Sequence, residues 1–182
     1  MGSTGSIEKT KPLTLKKPWT SFALDKKAIQ FLEENVFYDY MRQCRWFAGK
    51  ARMIKFLKVQ QILNMPIDGG LAYFIILHVG YTYGDEEKYA MPVSFLPDDY
   101  ELLGQINPKA FITKVVADGK PGWLIDAIYD FRFQTELFKN ISYKTWLYKL
   151  IEHYQIFSMV QLSTEDEGEP KIVRKDVRPL HK

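Results

Sequence analysis

The chain of 182 residues is 46% hydrophobic and 15% aromatic, which is enough apolar material for one domain with a sizeable core. Its charge is unevenly spread: residues 1–58 hold 12 Lys and Arg against 5 Asp and Glu, whereas the remainder holds 13 against 17. The single cysteine excludes an internal disulfide framework. Because the sequence shows neither an apolar leader nor a run of about 18 apolar residues, we expect a cytoplasmic protein without a membrane span.

The first predicted elements are a disordered tail and a long helix. Residues 1–17 are rich in Gly, Ser, Thr and Lys, a composition typical of disorder. An amphipathic helix is predicted over about residues 26–48, with Asp25 as its N-cap. Its apolar residues recur at intervals of three and four, as one buried helical face requires: Ile29, Leu32, Val36, Tyr40 and Cys44.

This helix is predicted to end at Gly49, because glycine readily takes the left-handed conformation that commonly follows a helix. Trp46 and Phe47 would then occupy its last turn, wedged between the helix and the next strand. Aromatic side chains at such a junction favour a role as core anchors over a role as a ligand platform.

Strand-like alternation follows in three segments joined by short turns: Met53–Leu63, Leu71–Tyr83 and Lys88–Leu96. A further hairpin is predicted from Phe111–Ala117 and Trp123–Ala127. Pro92 lacks an amide proton, so its strand is expected at a sheet edge or at a bulge. These elements predict an α+β, cystatin-like fold in which the long helix lies across a curved antiparallel meander.

Two helices are predicted after the hairpin. Asp130 caps the first, with Phe133 and Leu137 facing inward. The second, at about residues 143–156, carries an apolar stripe that includes Trp146, Leu150 and Tyr154. The long helix already covers one face of the sheet, and an antiparallel sheet can leave its other face exposed. We therefore expect this stripe to form an interface, with a partner or with a second copy of the chain.

No catalytic, cofactor-binding or metal-binding constellation is evident in the sequence. A phosphate-binding loop ending at Gly49-Lys50 would need glycine at position 44 and Ser or Thr at position 51, where the chain has Cys44 and Ala51. The Asp130-Phe131-Arg132 run lacks the glycine of a kinase metal-binding motif, and no His-x-Asp catalytic loop is present. The three histidines, His78, His153 and His181, are too dispersed to predict a metal site.

The run Arg42–Arg52 resembles the Gln-x-Arg-Trp-Phe-Gly/Ala-Gly-Lys-x-Arg signature of the N-terminal cap domain of bacterial maltokinases. Tyr89–Val93 and Leu124–Phe133 are similar to two further segments of that family, and the resemblance extends over about Trp19 to Leu180. Those kinases phosphorylate maltose with ATP and are often fused to, or partnered with, trehalose synthase.

The resemblance implies a structural or interdomain role for the signature residues, which are Arg42, Gln43, Arg45, Trp46, Phe47, Gly49 and Lys50. It also implies that catalytic and metal-binding residues belong to a downstream kinase lobe with no counterpart in this sequence. We therefore expect a non-catalytic cap that is inactive alone, with ATP and Mg²⁺ bound only by a full-length kinase. The implied partners are a kinase lobe of the same or another chain, trehalose synthase, or a second copy.

This interpretation divides the chain into a tail (1–17), a cystatin-like cap (18–128), a helical extension (129–163) and a linker towards a kinase lobe (164–182). Three alternatives remain open: the cap of a related sugar kinase such as glucosamine kinase, a free-standing binding or regulatory protein, and a small-molecule pocket with His78 as its polar group. A nucleic-acid surface is disfavoured, because the basic residues near Trp46 are divided between faces and the second half of the chain is acidic. Membrane binding is not expected.

Overall fold

The computed structural model describes residues 12–142, 161–163 and 171–173. Its main body contains six strands: β1 (Leu13–Leu15), β2 (Ile54–Ile67), β3 (Gly70–Tyr81), β4 (Glu87–Pro97), β5 (Phe111–Ala117) and β6 (Lys120–Asp126). Three α-helices accompany them: α1 (Lys26–Asn35), α2 (Phe37–Gln43) and α3 (Phe131–Ser142). Short 3-10 helices occur at Trp19–Leu24, Ala48–Ala51, Leu103–Gln105, Pro108–Ala110 and Ala127–Tyr129. A separate two-stranded ladder pairs β7 (Gln161–Ser163) with β8 (Lys171–Val173).

The six strands form one curled mixed sheet in the order β1-β5-β6-β4-β3-β2. The predicted meander β2-β3-β4 and the predicted hairpin β5-β6 are both confirmed, and every pair in the sheet except β1-β5 is antiparallel. The sequence did not indicate that β4 also pairs with β6, which joins the two units. Pro92 therefore lies in an internal strand. It occupies the position just before that pairing begins at Val93, where a missing amide proton costs no ladder bond to β6.

The sheet starts earlier in the chain than expected. Leu13–Leu15, which the composition assigned to a disordered tail, forms a strand parallel to β5. Leu13 and Leu15 alternate inward and are 7% and 3% exposed, so these two side chains contribute to the core. The expectation of disorder is therefore wrong for these three residues.

The predicted continuous helix at 26–48 is also wrong, because it is two helices with a break at Val36. Val36 has φ −127° and ψ −54°, outside helical geometry. A straight helix of that length would extend about 35 Å. Leu32 in α1 and Met41 in α2, on either side of the break, are both fully buried in the main core cluster. The predicted N-cap is confirmed, since the Asp25 carboxylate accepts from the amide of Ala28 at 3.0 Å.

Both faces of the sheet are covered around β3, whose residues 72–77 are at most 1% exposed. On one face, Tyr73 contacts Trp19 and Phe22 of the first 3-10 helix. On the other, Phe74 stacks on Phe133 of α3 with ring centroids 6.2 Å apart. The expectation that this second face could remain exposed is therefore wrong. The inward positions predicted for Phe133 and Leu137 are confirmed, as both are fully buried. Within the described residues, no helix is long and apolar enough to span a membrane.

Candidate functional site: the signature segment

The signature segment Arg42–Arg52 connects α2 to β2 without forming a helix of its own until Ala48. Cys44 adopts an extended conformation (φ −82°, ψ 131°), which ends α2 at Gln43. Trp46 and Phe47 therefore lie beyond the helix and not in its last turn. Ala48–Ala51 then form one turn of 3-10 helix that leads into β2.

The segment has a buried half and an exposed half. Trp46, Phe47 and Gly49 are buried, with Trp46 6% and Phe47 1% exposed. The polar members of the signature are exposed: Arg42, Gln43, Arg45 and Lys50. The same short segment thus supplies the core with aromatic rings and the surface with cations.

The two aromatic rings pack against β4. Both contact the ring of Tyr89, with centroids at 5.9 Å from Trp46 and 5.1 Å from Phe47, and the latter pair is edge-to-face. Trp46 and Phe47 also lie edge-to-face with one another at 6.5 Å. This three-ring cluster fixes the path of the chain between α2 and β2.

Glycine is needed at position 49 because neighbouring side chains approach its backbone closely. It does not serve as a left-handed residue that ends a helix. Its φ is not positive, so the predicted left-handed C′ role is wrong. A Cβ at this position would lie 2.2 Å from the Tyr81 hydroxyl oxygen and 2.8 Å from Phe47 Cζ. Glycine is present here because these two side chains already occupy the space that a methyl group would need.

Arg52 and Glu87 complete the cluster. Arg52 donates through Nη1 to Glu87 Oε1 at 2.7 Å and through Nη2 to the Asp85 carbonyl at 2.8 Å. Its guanidinium carbon lies 3.4 Å from the Tyr81 ring centroid, a cation–π contact. The hydroxyls of Tyr81, at 2.6 Å, and Tyr89 both donate to Glu87 Oε2. One carboxylate therefore binds the signature segment to β3 and β4.

Burial raises the pKa of Tyr81 and of Tyr89 above the ordinary value of 10.0, and the hydrogen bonds to Glu87 raise both pKa values further. Both phenols consequently remain protonated donors well into the alkaline range. The Glu87 carboxylate already accepts from an arginine and two phenols. This arrangement holds β3, β4 and the signature segment together.

These raised phenol pKa values make stability dependent on alkaline pH. In the unfolded chain the tyrosines lose their protons near pH 10.0, whereas in the folded chain they retain them. The two phenols therefore stabilise the folded state fully below pH 10.0. This stabilisation is lost as the pH rises towards the pKa values of the folded state. We expect the urea midpoint to fall between about pH 9 and about pH 11, and to fall less in a Tyr81→Phe, Tyr89→Phe double variant. If the urea midpoint fell equally with pH in the wild type and in the double variant, Tyr81 and Tyr89 would not be the cause of the pH dependence.

Two buried aspartates hold the segment after β6. Asp126 is fully buried and accepts from the Tyr40 hydroxyl at 2.9 Å and from the Ile128 amide at 3.1 Å, which ties α2 to the end of the sheet. Asp130 accepts from the Arg132 amide at 3.1 Å, which confirms its predicted N-cap role. It also pairs with the Arg132 guanidinium at 2.8 Å, and this hydrogen bonding raises the pKa of Arg132. These carboxylates satisfy backbone and side-chain donors of the fold itself.

Sequence reasoning missed Glu87 and Asp126 as members of these networks. Glu87 was assigned to a turn, but its i, i+2 spacing from Tyr89 places both on one face of β4. Asp126 lies within the apolar run Leu124–Ile128, and a polar residue in such a run signals a buried, satisfied group. Either pattern could have identified the residue.

The remaining candidate residues do not join the signature. His78 lies on β3, with Nε2 2.7 Å from Glu86 Oε2 and its ring edge-on to Phe56. In the part of the chain that the structure describes, no three His, Cys, Asp or Glu residues are grouped as metal ligands would be. The predicted interface residues lie outside the described residues: Trp146, Leu150 and Tyr154.

The fold and this cluster define a small α+β domain whose signature segment is built into its own core. A family model described as the maltokinase N-terminal cap domain matches residues 40–130, half of the chain. The chain belongs to this family. No curated protein matches the chain.

Proposed function

We propose that this chain is a non-catalytic cap of a maltokinase-type sugar kinase and acts by packing against a kinase lobe or by docking a partner protein. The family match supports the kind of domain. One observation carries the non-catalytic role. The carboxylates of Glu87, Asp126 and Asp130 already accept hydrogen bonds from side chains and backbone amides of this domain. Phosphoryl transfer requires a phosphate clamp, metal-binding carboxylates and a base to position the hydroxyl. We assign those groups, together with ATP and Mg²⁺, to a separate lobe.

A cystatin-like arrangement forms part of this proposal. Helix α1 contacts β2, the 3-10 helix Trp19–Leu24 contacts β3, and α2 is joined to the end of β6 by the hydrogen bond from Tyr40 to Asp126. A helical layer on a curved antiparallel sheet gives a rigid platform of defined shape. Such a platform suits interdomain packing.

Within this proposal the two halves of the signature have different roles. The buried half holds the cap together, and the exposed cations Arg42, Arg45 and Lys50 contact an acidic surface of the kinase lobe or of trehalose synthase. An acidic partner surface would complement the excess of cations in residues 1–58, which is otherwise accounted for by a solvated helix face. The stripe at Trp146 supplies apolar area to the same association, or to a homo-oligomer. We place this assembly in the cytoplasm.

The absence of kinase activity in the isolated chain is directly testable. Incubated with ATP, Mg²⁺ and maltose or glucosamine, the purified chain is expected to form no sugar phosphate above background. Mass spectrometry of the products is the measurement. Catalytic turnover that copurifies with the chain and is abolished by substitution of one of its residues would refute the non-catalytic role.

The role of the exposed cations is testable through binding. We expect a chain with Arg45→Glu and Lys50→Glu to bind a separately made maltokinase kinase lobe at least about tenfold more weakly, with unchanged thermal stability. Lys120→Glu, at the exposed start of β6, is the matched control and should bind as the wild type does. Equal affinities for the three proteins would remove the exposed cations from the interface.

A further inference from the structure

An open groove of about 490 Å³ lies between the end of β2 and the outer side of α3. Phe131, Thr135 and Lys139 line it from α3, one helical turn apart, and Asp68 lines it from the turn between β2 and β3. None of the signature residues lines this groove. Its volume is within the usual range of small-molecule sites, and its lining residues indicate the class of ligand.

The groove carries one negative charge, Asp68, that pairs with no cation among the described residues. Lys139 Nζ lies 2.7 Å from Glu136 Oε1, so the charges of these two residues cancel. Arg132 donates to Asp130 at 2.8 and 3.0 Å, and these hydrogen bonds are the main cause that raises the pKa of Arg132. Asp68 influences Arg132 only weakly, through space. A positively charged ligand therefore complements the groove.

The aromatic residue in the groove is exposed. Phe131 is 56% exposed, whereas Phe133 and Leu137 of the same helix are fully buried in the core. The fold therefore does not depend on the Phe131 ring. The negative face of an exposed aromatic ring attracts ammonium and guanidinium groups. Ring and carboxylate thus favour the same sign of charge in the ligand.

This chain holds cations of its own between a carboxylate and an aromatic ring. The signature cluster described above contains one such arrangement. Outside it, Lys114 Nζ lies 2.9 Å from Asp98 Oδ1 and 4.1 Å from the centroid of the Trp123 ring. Asp68 and Phe131 bring the same two kinds of group to the lining of the groove.

We propose that this groove binds a small organic cation that carries an ammonium or guanidinium group, held by the Asp68 carboxylate and by the face of the Phe131 ring. The Thr135 hydroxyl donates to the Phe131 carbonyl at 2.9 Å and retains lone pairs that accept from an N–H group of the ligand. Because the carboxylate and the ring are both exposed, each contact contributes little. Binding should therefore be weak, in about the millimolar range.

The test is an NMR titration of the full chain, labelled with ¹⁵N, with putrescine and agmatine as cationic probes at constant ionic strength. 1,4-Butanediol and succinate have the same chain length as putrescine and serve as the neutral and anionic controls. We expect the cations to shift the amides of residues 67–70 and 131–139, and the controls to leave them unchanged. Absence of these shifts with both cations, or equal shifts with the diol, would overturn the proposal.

A matched pair of variants tests the carboxylate. Asp68→Asn removes the charge and retains an oxygen that accepts hydrogen bonds, and it should weaken putrescine binding about threefold or more. Asp118→Asn is the control, because Asp118 is also exposed and also precedes a glycine in a turn between two strands, outside the groove. It should bind putrescine as the wild type does. Equal weakening in the two variants would indicate a general effect of surface charge and would contradict the proposal.

A second pair of variants tests the ring. Phe131→Leu retains an apolar side chain and removes the aromatic face, and we expect putrescine to bind about two- to fivefold more weakly. Tyr83→Ala removes an aromatic ring that is 86% exposed and lies outside the groove, and it should leave binding unchanged. The amide spectrum of each variant shows directly that the fold is retained. Wild-type affinity in Phe131→Leu would exclude the ring from the site and contradict the proposal.

Discussion

Replacing Trp46 with alanine should lower the free energy of unfolding by about 3–5 kcal/mol, the usual cost of emptying an aromatic core site. The indole is 6% exposed and contacts both Phe47 and Tyr89. Its loss leaves a cavity next to the point where the signature segment enters β2, so the neighbouring ring loses packing as well. Urea denaturation of the purified variant is the measurement.

Tyr83→Ala is the control for this experiment, because it removes an aromatic side chain that is 86% exposed. Its unfolding free energy should stay within about 0.5 kcal/mol of the wild type. An unshifted midpoint for Trp46→Ala, together with weaker binding of a kinase lobe, would reassign Trp46 from the core to an interface.

The second large effect is expected at Gly49. Gly49→Ala introduces a Cβ that would lie 2.2 Å from the Tyr81 hydroxyl oxygen. That oxygen is held by Glu87 at 2.6 Å, so it cannot move without loss of a hydrogen bond. We expect destabilisation of about 1–3 kcal/mol, the usual range for overpacking a close contact.

Two comparisons make this result specific. Gly104→Ala places a Cβ where no heavy atom lies within 4 Å and should be nearly neutral. In a Tyr81→Phe background the hydroxyl is absent, so the cost of Gly49→Ala should be smaller than in the wild type. The same cost in both backgrounds would show that backbone conformation, and not the contact with Tyr81, makes glycine necessary.

Local patterns in the sequence predicted the elements that depend on local physics. The strands β3 and β4 and the caps at Asp25 and Asp130 depend on neighbouring residues, and each was predicted correctly. Leu32, Val36 and Tyr40 of the predicted apolar stripe are buried, as expected. The helix break at Val36 was not, because helical spacing of apolar residues continues across it.

The features that the sequence did not predict depend on distant partners. Gly49 is explained by Tyr81, 32 positions along the chain, and the sequence shows only that a glycine follows a helix-like run. The pairing of β4 with β6 places both in one sheet, yet neither strand's pattern identifies its neighbour. The burial of Phe74 depends on Phe133 in α3, which is why the second face of the sheet was expected to be exposed.

The measurement that tests the proposed cap most directly is sedimentation velocity of the chain with a separately made maltokinase kinase lobe. We expect the wild type to form a complex with the lobe, or with itself, and Trp146→Glu to weaken that association. Met53→Glu, a charge placed at a side chain 74% exposed near the start of β2, is the control and should associate as the wild type does. A strictly monomeric wild type that does not bind the added lobe would contradict the proposed function.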